Sequence, residues 1–204
     1  LSARTLRLGD SNLAHAAVAV QGSRSMHTAR ISTGTSDHRL EMSLSGGLDE
    51  RFLWQGLLQM ARVEGALPLQ LVQPVELRVS TEAVHVGNAR FEVGNAGRID
   101  LAVLDWDARR GVTSRGTISR LALAVLQPLL PVPDAVRSLV VAGQWDVTMA
   151  ETLAGSFTLT RESGDIVIPA SPPVPAQLRT LRVEARAQGS EISIDASIES
   201  GAFG

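Results

Sequence analysis

The chain has no cysteine and no tyrosine. Without thiols there is no disulfide, no zinc–thiolate centre and no cysteine nucleophile. Aromatic residues make up only 3%, so the flat platforms on which bases and sugars stack are scarce. Cations are not in excess either. Lys and Arg total 19 against 21 Asp and Glu, a formal net charge of -2. Phosphate backbones are bound by a local surplus of positive charge, and none is visible, which excludes nucleic acid as a partner. Finally, no apolar run approaches the roughly 18 residues of a membrane-spanning helix.

What is present is aliphatic. Hydrophobic residues reach 44% and charged residues only 20%, with Val, Leu, Ile and Ala carrying the apolar part. That composition supports a real core and argues against disorder. A length of 204 residues allows one or two domains. The chain starts at Leu1 without a signal peptide and stops at Gly204 soon after a strand-like run. The expectation is a single unit, 1–204, cut from a longer repetitive protein. A subdivision would fall near 128–143.

The dominant pattern is alternation with period two, which places every second side chain on one face of an extended strand. Ala14, Ala16, Val18 and Val20 share a face, as do Leu40, Met42 and Leu44. Leu69, Leu71, Val75, Leu77 and Val79 follow, with Gln70, Glu76 and Arg78 opposite. Short units come next: Val84 and Val86, Phe91 and Val93, then Ile99, Leu101 and Val103. Trp145, Val147 and Met149 resume the pattern, followed by Phe157 and Leu159, then Ile166 and Ile168. The last two strands carry Leu181, Val183 and Ala185, then Ile192, Ile194, Ala196 and Ile198.

Turn residues separate these units at Gly46-Gly47, Gly87-Asn88, Gly94-Asn95, Arg110-Gly111, Ser163-Gly164-Asp165 and Gln188-Gly189-Ser190. Gly and Asn accept the positive φ of tight hairpins. Regular short strands with such turns make an all-β protein.

Two stretches break the alternation. Ile118, Leu121, Ala122, Val125 and Leu126 have helical spacing, stopped by Pro128, Pro131 and Pro133. A short helix over 119–127 or an irregular loop against the core both fit. The run from Pro169 to Pro175 reads as a stiff loop, since proline lacks the donor a central strand needs. Residues 51–63 suit either a strand or a helix.

Chemistry-bearing motifs are weak. Gly9-Asp10-Ser11-Asn12 looks like the first block of the Gly-Asp-Ser esterases. A nucleophilic serine needs a general base held by an acid, and that family places an Asp-x-x-His late in the chain. Here the last histidine is His85 and no Asp-x-x-His exists, so a plain β-turn is the better reading. His15, His27, His38 and His85 show no helical metal-site spacing. Asp105 and Asp107 share a strand face, but acid–base work needs a cleft. Trp54, Trp106 and Trp145 are read as packing residues. The expectation is no enzyme, no metal and no cofactor.

One resemblance covers most of the chain from Leu40 onward. Phe52-Leu53-Trp54-Gln55-Gly56, then Leu69-Gln70-Leu71 and Val75-Glu76-Leu77-Arg78-Val79, resemble the TamB family of the AsmA-like group. Ile118-Ser119-Arg120-Leu121, Leu126-Gln127-Pro128-Leu129-Leu130-Pro131 and Gly143-Gln144-Trp145 continue the likeness. So do Gly155-Ser156-Phe157-Thr158-Leu159, Gly164-Asp165-Ile166 and the tail from Leu181 to Ile198. The resemblance implies an elongated, U-shaped, mainly antiparallel sheet with an apolar interior, often described as a β-taco, and at most one or two short helices. It implies a periplasmic segment of a protein anchored in the inner membrane elsewhere. The implied partners are phospholipid acyl chains, the outer-membrane Omp85-family protein TamA and nascent outer-membrane proteins.

Under that resemblance the apolar faces become the lining of a groove: Leu77, Val79, Val84, Val86, Phe91, Val93, Ile99, Leu101, Val103, Trp145, Val147, Phe157, Leu159, Ile166, Ile168, Leu181, Val183, Ile192, Ile194 and Ile198. The first expected role is conduction of phospholipids between membranes. The alternative is a chaperone-like scaffold that assists β-barrel assembly through strand pairing at a free edge.

Overall fold

A computed structural model describes residues 2–3, 6–8, 11–13, 15–35, 37–95 and 97–201, with side chains from Ala16 onward. The early strands are β1 (Ser2–Ala3), β2 (Leu6–Leu8), β3 (Ser11–Leu13), β4 (His15–Gly22), β5 (His27–Gly34), β6 (Arg39–Leu48) and β7 (Trp54–Glu64). The middle holds β8 (Leu69–Leu71), β9 (Val75–Val79), β10 (Ala83–Val86), β11 (Ala89–Val93), β12 (Gly97–Asp107) and β13 (Gly111–Ala122). Then come β14 (Val140–Met149), β15 (Leu153–Ser163), β16 (Val167–Ile168), β17 (Val174–Pro175), β18 (Leu178–Gly189) and β19 (Glu191–Ser200).

Fifteen of these strands form one large, curved, antiparallel sheet. Its continuous path runs β1-β4-β5-β6-β7-β8-β11-β12-β13-β14-β15-β18-β19. Between β7 and β12 the sheet is filled by two strand pairs set end to end. β8 and β11 occupy one half, β9 and β10 the other. Among the described residues the only helical turns are two 3₁₀ segments, Leu123–Leu126 and Asp134–Val136.

The register sorts side chains into two faces. One continuous row runs Ala89, Leu101, Gly116, Trp145, Phe157, Ala185 and Ile194. The row beside it on the opposite face runs Arg90, Asp100, Thr117, Gln144, Thr158 and Glu184. The first face is apolar from β4 to β19. The second is polar and carries ion pairs, some within a strand, such as Arg39–Glu41 and Arg62–Glu64, and others across strands, such as Arg90–Asp100 and Arg115–Asp146.

Several expectations change. Ser119–Ala122 does not turn helical but stays in β13, where Leu121 pairs with Val141. Only the following four residues coil, after a last bond from the Leu123 N–H to the Leu139 carbonyl beside the Ala122–Val140 pair. Residues 54–64 form a strand. Gly46-Gly47 is not a turn but lies inside β6, opposite Gly56 and Gln55. A Cβ on Gly46 or Gly56 would meet the Trp54 ring at 2.7 Å, so these glycines serve side-chain packing across the strands. Of the segment 128–143, residues 128–139 lie on the connection that joins β13 to β14 and 140–143 already belong to β14; the two strands are hydrogen-bonded neighbours in one sheet.

Fully buried side chains are few. One cluster packs Val93, Leu121, Leu139, Val141, Ala176 and Leu178. Two connections supply part of it, residues 123–139 and 164–177, which fold back over one end of the apolar face. A second cluster, Leu58, Leu71, Val75 and Ala89, seals the seam where β8 gives way to β9. The accessible surface is 13474 Å². A compact globule of 21.6 kDa would expose about 9,200 Å². The excess is what a broad sheet leaves when most of one apolar face has no second layer packed on it.

Candidate functional site: an open apolar sheet face

The apolar face is assembled strand by strand. β9 and β10 contribute Leu77, Val79, Val84 and Val86, which pair across as Leu77 with Val86 and Val79 with Val84. β11 and β12 place Phe91 opposite Ile99 and Ala89 opposite Leu101. β14 and β15 set Trp145 opposite Phe157 and Val147 opposite Gly155. β18 and β19 set Leu181 opposite Ile198, Val183 opposite Ala196 and Ala187 opposite Ile192. Most are half-buried; Ile99, Leu159 and Leu181 pack against the buried cluster at the closed end, whereas Val147, Val183 and the β19 isoleucines lie outside both buried clusters. Exposure grows toward the last strand, where Ile192, Ile194 and Ile198 stand 64%, 68% and 56% exposed.

Three expected lining residues sit elsewhere. A β-bulge between Leu101 and Val103 inserts Ala102, so Val103 pairs with Arg115 on the polar face. Such a bulge shifts the alternation by one and exchanges the faces beyond it. Leu104 and Trp106 take the apolar side instead, opposite Ser114 and Val112. Ile166 and Ile168 leave the large sheet. Ile168 belongs to the small β16–β17 pair, and both pack against the cluster that closes one end. Val93 also joins that cluster and is buried there.

The alternating sequence did not single out the fillers of this closed end. Leu123, Val125, Leu126, Val136 and Leu139 come from segments without period-two order. Val125 and Leu126 belonged to the helical spacing around 118–126, whose partner could not be read, while Leu123, Val136 and Leu139 carried no periodic signal. Asp165 fixes the second filler. Its carboxylate accepts from the backbone N–H of Leu178 at 3.0 Å, Ile166 at 2.8 Å and Gln177 at 2.9 Å. These bonds, the one from Leu178 foremost, hold its pKa below the ordinary carboxylate value.

Two tryptophans with their polar ends satisfied stand on the apolar face. Trp145 donates its ring N–H to Ser114 Oγ at 2.9 Å. It packs over Gly116, where a Cβ would come within 2.4 Å of the ring. Trp54 donates to His27 Nε2 at 2.9 Å. Neither ring exposes an unmet donor to whatever occupies the face.

The polar face is electrostatically closed over most of its width. Arg39 meets Glu41, Arg62 meets Glu64, His85 meets Asp105 and Arg115 meets Asp146. Asp100 is shared by Arg90 and Arg98, and Glu184 by Arg182 and Arg186. A depression of about 810 Å³ on this side is bordered by Arg90, Asp100, Arg115 and Asp146, which neutralise one another in pairs. Among the described residues no group of three or more His, Asp and Glu could hold a metal ion. Gly9, Asp10 and the side chains of Ser11 and His15 lie outside the described residues. No described helix is long and apolar enough to cross a membrane. No family model, curated protein or solved structure matches this chain.

Proposed function

We propose that this segment is one stretch of an open apolar trough that carries phospholipid acyl chains between membranes. It would do so as part of a TamB-like protein of the periplasm, working with an outer-membrane partner of the Omp85 family. The carrying observation is the broad apolar sheet face with most of its span free of a covering layer. Soluble monomers rarely expose apolar patches beyond a few hundred Å². Acyl chains satisfy such a surface without directional demands, at roughly 25 cal/mol per Å² buried. The aliphatic lining and the satisfied tryptophan N–H groups suit a mobile, unspecific guest better than a shaped ligand.

Val147 and Val183 test this reading, because they lie mid-face and in neither buried cluster. The chain is incubated with phosphatidylethanolamine–phosphatidylglycerol vesicles bearing a photoactivatable acyl chain. Wild-type protein is expected to label on this face. Val147→Asp and Val183→Asp are expected to keep the wild-type circular dichroism and to lose most labelling, since an unpaired carboxylate repels a hydrocarbon path. Labelling that is absent from the wild type, or unchanged in both variants, overturns the proposal.

A further inference from the structure

The apolar face is interrupted by ionisable groups at two places. Among the described residues its strands place two titratable side chains on it, Arg161 and His27. Arg161 stands at the closed end opposite Val141. There its Nε donates to the Gly164 carbonyl at 2.7 Å and an Nη to the Arg179 carbonyl at 3.2 Å. His27 lies away from that end, in the row His27, Gly46, Gly56, Leu77 and Val86. A charge at His27 would break this row.

Trp54 keeps His27 neutral and covered. The indole crosses Gly56 and Gly46, where a Cβ would meet it at 2.7 Å, and its N–H ends on His27 Nε2 at 2.9 Å. The other ring nitrogen, Nδ1, meets the Ser23 carbonyl at 3.2 Å. An indole nitrogen only donates and a carbonyl only accepts. The two partners therefore fix the neutral tautomer with its proton on Nδ1. A second proton has to go on Nε2, which then becomes a donor facing another donor. No neighbouring group compensates. The rings are tilted by 52° with centroids 6.4 Å apart, so an imidazolium does not lie over the indole face. β4 and β6 set Gly22 and Gly46 beside His27. In the adjoining turns Arg24 donates to the Asp49 carbonyl and stacks on Phe52. The Asp49 carboxylate accepts the N–H groups of Arg51 and Leu53. Glu50 is the other acid of that turn, and neither it nor Asp49 forms an ion pair with His27.

We infer that His27 and Trp54 form a proton-sensitive latch on the apolar face. While His27 is neutral, the indole covers the bare backbone of Gly46 and Gly56 and occupies the imidazole's free lone pair. When His27 is protonated, that bond is lost, the indole leaves the glycines and a cation stands in the apolar row. An unpaired charge is costly in such a setting unless water reaches it. Histidine is the side chain that ordinarily changes charge between about pH 5 and 8, which sets the range to search. Trp145 provides an internal comparison. It crosses Gly116 in the same manner, but its N–H ends on the Ser114 hydroxyl, which takes no proton in that range. The latch stands on the hydrogen bonds alone, whereas its control of lipid passage rests on the trough reading.

Nuclear magnetic resonance of the nitrogen-15-labelled chain reads the latch directly, because each tryptophan gives one indole N–H signal. Trp54→Phe and Trp145→Phe assign the two that matter. As pH is lowered from about 8 to about 5, the Trp54 signal is expected to shift and to exchange faster with water, while that of Trp145 holds. His27→Gln, folded by circular dichroism, offers an amide oxygen that accepts from the indole and does not titrate. In it the Trp54 signal is expected to stay still. The comparison of Trp54 with Trp145 in the wild type decides the matter should that variant misfold. The vesicle photolabelling described above is then run at both ends of the pH range, and mass spectrometry locates the labels. In acid, labels within β5–β7 are expected to fall severalfold in the wild type and to persist in His27→Gln, while those within β14–β18 stay. A Trp54 signal that ignores pH, or that moves equally in His27→Gln, overturns the latch. A moving signal with unchanged labels overturns its control of the trough. An intact indole response with no labelling at any pH supports the latch and sinks the lipid reading instead.

Discussion

At the scale of the residue, glycine and aspartate set the local geometry on which the face depends. Trp145 lies on the apolar side because Gly116 beneath it has no Cβ and Ser114 accepts its N–H. Gly116→Ala is therefore expected to displace the ring, shift tryptophan emission and lower the melting temperature, while Ala142→Gly on the other face leaves emission unchanged. Asp165 acts on the closed end. Its folded pKa lies below the unfolded value because backbone N–H groups of Leu178, Ile166 and Gln177 favour the carboxylate. The folded state thus gains from ionised Asp165 above the ordinary carboxylate pKa and loses that gain as pH falls through the depressed value. Asp165→Ala is expected to melt lower than wild type at neutral pH. The gap between the two should narrow as acid protonates the wild-type group, as pH-resolved thermal melts would show.

At the scale of the element, bulges and connections decide which face a strand presents. The Ala102 bulge in β12 turns Val103 outward beside Arg115. Val103→Asp should consequently leave vesicle labelling intact, in contrast to Val183→Asp, and the same photolabelling experiment reads both. Among the described residues, the connections 123–139 and 164–177 supply the layer of hydrophobic packing at the closed end. Leu139 is 2% exposed, so Leu139→Ala is expected to cost about 3 kcal/mol, measurable by denaturant unfolding. A cost near zero would mean that the connection merely rests on the sheet.

At the scale of the whole molecule, the continuous path of thirteen strands spans roughly 58 Å along its arc at 4.8 Å per strand. A compact chain of this length would have a radius of gyration of about 17 Å. Small-angle scattering is expected to give a clearly larger value, and one at or below that figure would mean that the apolar face closes on itself in solution. The surface of 13474 Å² points the same way. Most strands are neighbours of the strand before them, which keeps sheet growth local, and the exceptions lie where β1 pairs β4 across the β2–β3 hairpin, at the β8–β11 seam and across the β16–β17 excursion.

The alternation in the sequence determined the all-β class, the turn positions at Gly94-Asn95, Arg110-Gly111 and Gln188-Gly189, and the apolar identity of Leu77, Phe91, Phe157, Val183 and Ile194. It could do so because period two is a local property of each strand and needs no partner. The tertiary structure alone decided the rest. A bulge such as that at Ala102 depends on what the neighbouring strand offers, so the face of Val103 was not written in its own segment. Gly46 and Gly47 look like a turn until β7 is placed across them, with the Trp54 ring over Gly46. The fate of Ile166 and Ile168 hung on a connection anchored by Asp165 to the N–H groups of Gln177 and Leu178, a dozen residues away. Whether an apolar row is core or open surface depends on what covers it, and only the assembled sheet shows how little does.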